Sequence, residues 1–254
     1  MTLAALGPFG DAIKFIFQER QSQAGTVRIG GLGEIWQLTW THMELAVVAT
    51  VVATLIAMPI GLWLGHIGRY QFLAISTSNI GRAVPALGLV VFFIAFLGVG
   101  FGNICLALVL LAIPPIITNS YVGVRGVDRE TVDAARGNGL TGMQVAGRVE
   151  LPLALPTIMA GIRIALVSVI ATATIAPLAN VDTLGRPIVS PNVYGTAGQL
   201  AACIVVALVT FAADGAFAAF SRAVTPRGIR IQANPRRARY WARLPSPKRS
   251  IQST

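Results

Sequence analysis

The sequence predicts an all-α integral membrane protein with five transmembrane helices. Three observations carry that class. The 254-residue chain is 54% hydrophobic and only 12% charged, with a mean hydropathy of +0.69, more apolar surface than a soluble domain of this size needs. Its apolar residues are gathered into long, nearly uncharged runs separated by turns. Its basic residues, which give a net charge of +10, crowd into alternate loops instead of spreading evenly.

Residues 1–37 form an amino-terminal segment. The apolar run Leu3 to Leu6 is broken at Gly7-Pro8, too short for the core of a signal peptide and with no basic residue before it. Phe9, Ile13, Ile16 and Phe17 predict one or two turns of interfacial helix. Gln21 to Gly33 is polar and glycine-rich and reads as a loop, and Trp36 and Trp40 stand where an aromatic belt begins.

A membrane domain follows over residues 38–222. Span 1 covers 45–65, an uncharged run of 21 residues. At about 1.5 Å per residue it crosses a hydrocarbon core of about 30 Å. Pro59 is expected to kink it. Gly61 and Gly65 fit close helix packing and ordinary membrane-helix composition equally well. After a short basic turn at Arg69, span 2 covers 80–99, with Arg82 interrupting its start. Span 3 covers 104–120, ending near Pro114-Pro115, and a polar loop occupies 122–152. Span 4 covers 156–176, with Arg163 near its first turns. A loop from Pro177 to Gly198 leads to span 5 over 199–220, with Asp214 well inside it. Residues 223–254 are a basic tail made irregular by Pro226, Pro235, Pro245 and Pro247.

Five spans place alternate loops on opposite sides. One side receives Arg69, Arg125, Arg129, Arg136, Arg148, Arg222 and the basic residues of the tail, fourteen of the 20 Lys and Arg. The positive-inside rule puts that side in the cytoplasm and the amino terminus outside. The tail then either lies against anionic membrane lipid, at about 1 kcal/mol per basic residue near the surface, or serves as a specific regulatory element.

Composition and motifs exclude several function classes. Cys105 and Cys203 lie far apart in apolar runs and read as packing residues. His42 and His66 have no ligand partners at metal spacing and read as interfacial, so no metal site is expected. There is no GxSxG, no HExxH and no Walker A motif; the only lysines, Lys14 and Lys248, follow no glycine-rich loop. No catalytic set is present, so the chain is not expected to be an enzyme. Asp214 is an intramembrane acid, marking either a functional position or a bond inside the bundle. Arg82 and Arg163 either snorkel to the interface or pair with an acid.

The stretch from Asp128 to Pro156 departs from this apolar pattern. Asp128 is placed to cap a helix that ends at Gly137 or Gly139. Thr141 and Gln144 read as a capping box opening a second helix. Pro152 and Pro156 are expected to stop or kink the chain. The product is a short polar helix–turn–helix between spans 3 and 4. Tethered to membrane on both flanks, it is not expected to contact nucleic acid.

Asp133-Ala134-Ala135, Gly139, Val149 and Leu151-Pro152 stand at spacings that resemble the signature of binding-protein-dependent ABC import permeases, Glu-Ala-Ala-x3-Gly-x9-Ile-x-Leu-Pro, with Asp for Glu and Val for Ile. Residues 75–85, 114–121, 123–128 and 151–174 look like the subgroup that imports osmoprotectants, while 179–185 holds fewer glycines than that subgroup usually has. The resemblance implies a methionine-importer-like permease fold and a coupling role for the seven signature residues. It also implies partners: a dimer of cytoplasmic ABC ATPases, a second permease subunit (identical or paralogous) and an extracytoplasmic solute-binding protein. Mg-ATP would bind the ATPase, with no cofactor on this chain. The cargo would be glycine betaine, choline or carnitine, carried across a bacterial inner membrane. The alternatives are another small polar solute, such as an amino acid, or a self-sufficient secondary transporter. For the latter Asp214 is the only clear coupling acid.

Overall fold

The structure, a computed structural model, describes residues 7–25, 27–68, 72, 76 and 85–225. The amino-terminal run forms α1 (Pro8–Phe17), whose buried face is Gly10, Ala12 and Phe15. The expected loop that follows contains a hairpin. Strand β1 (Glu19–Gln21) pairs antiparallel with β2 (Arg28–Gly30), with Arg20 opposite Ile29. Gly30 and Gly31 then turn the chain at φ 83° and 78° into α2 (Gly31–Ile67). The carboxylate of Glu34, in the first turn of α2, accepts from Gly30 N at 2.5 Å, satisfying a donor that the helix cannot.

Helix α2 has 37 residues, about 55 Å, and so extends well past a hydrocarbon core of about 30 Å. It starts fourteen residues before the apolar run and passes through Pro59 without a break. Gly68, at φ 70°, caps its end by donating to Leu64 O. Helix α3 (Ala86–Leu97) has 12 residues, about 18 Å, too short to cross alone. The start of the span expected at 80–99, with Arg82, lies outside the described residues. Helix α4 (Phe101–Arg125) runs through Pro114 and Pro115, where the sequence predicts an end. Pro114 is itself buried in the bundle.

Helix α5 (Arg129–Gly137) and helix α6 (Gly142–Val145) make the helix–turn–helix. A π-helical segment (Ala146–Glu150) leads into α7 (Leu151–Thr172) and a 3-10 turn (Ala173–Ala179). The expected stop at Pro152 and Pro156 does not occur. The wider π turn immediately precedes Pro152, which sits at the start of α7, where a missing N–H costs least. A short α8 (Arg186–Val189) precedes α9 (Pro191–Val224), which bends at Gly195 (φ 65°, ψ 178°). Among the described residues, four helical stretches are long and apolar enough to span a membrane: Gly31–Ile67, Phe101–Arg125, Gly142–Ala179 and Pro191–Val224.

Small residues set the packing. Leu45, Ala46, Ala49, Ala53 and Ala57 of α2 are fully buried in the main core with Leu108, Ala112 and Ile116 of α4 and Ile158 and Ala165 of α7. A Cβ on Gly61 would come within 2.7 Å of Ile117 O, and one on Gly65 within 2.7 Å of Val124 Cβ. The glycine pair is therefore an intrachain seam with α4. A second core joins Phe15, Ile29 and Ile35 to Tyr194 and Ala201 at the start of α9.

Candidate functional site

Two places bring sequence-predicted residues together. The first is the helix–turn–helix at the Ile67 end of α2. Asp128 Oδ1 accepts from Glu130 N at 3.2 Å and caps α5. Gly139 makes the turn at φ 85°, a conformation that side chains with a Cβ rarely adopt. Thr141 and Gln144 complete a capping box: Gln144 Oε1 accepts from Thr141 N at 2.9 Å, and Thr141 Oγ1 accepts from Gln144 N at 3.4 Å. The two helices lie against one another with Asp133, Ala134 and Gly139 exposed and Ala135 half-buried. Met143 at the tip is 84% exposed, while Val145 is fully buried and anchors the root. Val149, Leu151 and Pro152 are half-buried where the π segment becomes α7.

Sequence reading missed what holds this root. His66, in the last turn of α2, donates from Nδ1 to Glu150 Oε2 at 2.6 Å. Glu150 is 5% exposed, at the end of the π segment. A Cβ on Gly142 would approach His66 Nε2 within 3.3 Å, so the imidazole lies against both ends of the Gly142–Glu150 stretch. His66 and Glu150 border a cavity of about 80 Å³ with Arg125, Arg129, Asp133 and Arg136. The signal was a lone carboxylate inside the apolar run Val149 to Leu153, with no cation placed to meet it locally. His42 also departs from the interfacial reading. It is fully buried, and its Nε2 donates to Ile170 O at 2.9 Å.

The second place is a cleft between α7 and α9. Arg163 donates from Nε and Nη2 to Oδ1 and Oδ2 of Asp214, a bidentate pair. The sequence left open whether an intramembrane arginine snorkels or pairs; Arg163 pairs. The side chains are 45% and 29% exposed, facing a cleft of about 580 Å³ that Met159, Ile164, Val167, Ala160 and Ala218 also line. Arg82 lies outside the described residues. Among the described residues, no group of three His, Cys, Asp or Glu is placed to hold a metal ion.

At the opposite end of α2, Tyr194 of α9 is held from two sides. Its hydroxyl donates to Glu34 Oε1 at 2.6 Å, and its carbonyl accepts from Arg20 Nη2 at 2.7 Å. The Arg20 guanidinium also stacks 4.7 Å from the Phe15 ring centre.

Over residues 49–226 the chain matches the model of the family described as binding-protein-dependent transport system inner membrane component. It is 32% identical over 198 residues to the glycine betaine/carnitine/choline transport system permease protein OpuCB of Bacillus subtilis, covering 78% of this chain and 91% of that one. It is 34% identical over 193 residues to the carnitine transport permease protein OpuCB of Listeria monocytogenes, covering 76% and 88%. In fold it is similar to a chain of the inward-facing MetNI methionine ABC transporter, with a TM-score of 0.66 at 20% identity, covering 77% of this chain and 98% of that one. The match over most of the membrane core, with relatives of this identity and coverage, places this chain in the family of inner-membrane permease components of binding-protein-dependent transport systems.

Proposed function

We propose that this chain is the membrane subunit of an ATP-driven importer for a quaternary ammonium solute such as glycine betaine, choline or carnitine. The observation that carries the reading is the exposed helix–turn–helix bearing Asp133, Ala134, Ala135 and Gly139, rooted by Val149, Leu151 and Pro152. Small side chains and a projecting Met143 give a surface that a partner can approach closely. The relatives' names supply the solute class.

In this reading the helix–turn–helix and basic tail lie in the cytoplasm and the amino terminus outside, following the bias of Arg and Lys. Two ATPase subunits carry Mg-ATP and meet the helix–turn–helix. A second permease subunit completes the pathway, and an external binding protein delivers the solute. The π segment passes directly into α7, so a push on α5 and α6 acts on a membrane span with no flexible linker between. A secondary transporter would need a free intramembrane acid, and Asp214 is engaged by Arg163.

The test pairs Gly139→Val with Ala134→Trp. The first strains the turn; the second adds bulk at an exposed site that folding does not need. Both chains are expected in the membrane at parental levels, with solute uptake and solute-stimulated ATPase reduced at least about tenfold, a loss of about 1.4 kcal/mol in coupling. Parental uptake in Ala134→Trp would refute the docking role.

A further inference from the structure

We infer that the cleft between α7 and α9 is a transit site for a zwitterionic quaternary ammonium solute, with Arg163 receiving its carboxylate and Asp214 its trimethylammonium group. The inference rests on the importer reading above and assigns it a site within this chain.

Depth is the first argument. Arg163 lies twelve residues beyond Leu151, and Asp214 ten residues before Val224. Within the spans expected at 156–176 and 199–220, they lie seven and six residues from the nearer span end, about 9 to 11 Å at about 1.5 Å per residue, inside the apolar layer but not at its centre. Charges at that depth do not face hydrocarbon; they face protein or a water-filled path. This chain leaves them partly uncovered, and the uncovered atoms open into the cleft. Its volume of about 580 Å³ lies in the range of small-molecule sites, about 300–1,000 Å³.

Charge bookkeeping is the second argument. Arg163 and Asp214 neutralise one another, and Arg222, near the end of α9, adds a further positive charge to the lining. A zwitterion inserted between them replaces one ion pair by two. The planar guanidinium fork suits a carboxylate, while the freed Asp214 carboxylate meets the methylated ammonium by charge alone, since that group has no N–H to donate. A solute with the cation alone occupies Asp214 and leaves Arg163 without a counterion. The pair therefore favours carboxylate-bearing solutes over choline. The walls fit passage more than storage: Ala160 and Ala218 are small, Met159, Ile164 and Val167 apolar, and Ser168 and Ser221 offer only weak bonds.

The experiment uses the complete importer, with its ATPase and binding protein, reconstituted in vesicles and supplied with labelled glycine betaine or choline. Co-purification with the ATPase establishes that each variant assembles. Arg163→Gln is expected to lower glycine betaine uptake at least about tenfold, and choline uptake less than about threefold. Arg163→Lys, which keeps the charge, is expected to hold the ratio of the two near its parental value. Equal losses for both solutes in Arg163→Gln would make the pair a structural latch or a subunit seam, and would overturn the site. A ratio that collapses equally in Arg163→Lys would also overturn it. Should the parental complex take up neither solute while hydrolysing ATP, the importer reading fails for this solute class and the site falls with it.

Discussion

Gly185 lies where the chain after the 3-10 turn folds back on that turn. A Cβ there would collide with the carbonyl oxygen of Thr174 and stand 2.7 Å from its Cα. The backbone at Gly185 is ordinary, with φ −72°, so the requirement is one of space. Thr183 ties the same loop down by donating from Oγ1 to Ala173 O at 2.9 Å. Gly185→Ala is expected to cost about 3 kcal/mol or more, since the colliding atoms are backbone. Thermal unfolding in detergent measures it, and an unchanged midpoint would contradict the packing. The sequence registers this stretch only as poor in glycines. That one of them meets backbone eleven residues earlier is a tertiary fact. Caps are different: Asp128 and the Thr141–Gln144 box act within three residues, so they are legible from spacing alone. His66 and Glu150 are 84 residues apart, and nothing local joins them.

Among the elements, prolines end no helix where an end is expected: Pro114, Pro115, Pro152 and Pro156 each lie inside or at the start of a continuing helix. In water a broken amide ladder is replaced by solvent bonds. In a bilayer no such exchange exists, so the helix persists and the neighbouring elements absorb the defect. At Pro152 the absorbing device is the π segment, and Glu150 at its end is what α2 grips through His66. Glu150→Ala removes the acceptor from a buried pair and is expected to cost about 2 to 3 kcal/mol. The loss should appear locally: amides of α5 and α6 are expected to exchange at least about tenfold faster, with those of α4 unchanged. Glu150→Gln, which still accepts from Nδ1, should lie between the two. Uniform acceleration throughout the chain would show that the pair serves global stability and does not specifically brace the helix–turn–helix.

Over the whole molecule, burial is uneven. Half of the most apolar window in Phe101–Arg125 and in Gly142–Ala179 is buried within the chain, against 17% for Pro191–Val224. Helix α9 is instead fastened at points. Near its start, Gln23 N donates to Val193 O at 3.0 Å, and the Gln23 side chain crosses Gly195, where a Cβ would lie 2.5 Å from Nε2. Tyr194 is held by Glu34 and Arg20. Farther along, Asp214 is held by Arg163. Between those fastenings, Leu208 and Phe211 are exposed, at 62% and 77%. A helix with so little packing in its own chain relies on lipid or a second subunit for cover. This predicts a contrast in hydrogen exchange. In the chain purified alone in detergent, amides from about 206 to 212 are expected to exchange at least about tenfold faster than those of α4. In the assembled importer they are expected to slow by a similar factor if a second permease subunit covers this face, while α4 changes little. Equal rates in the isolated chain would mean that the fastenings alone hold α9 rigid. A contrast that survives assembly would mean that lipid covers this face and that the subunit seam lies elsewhere.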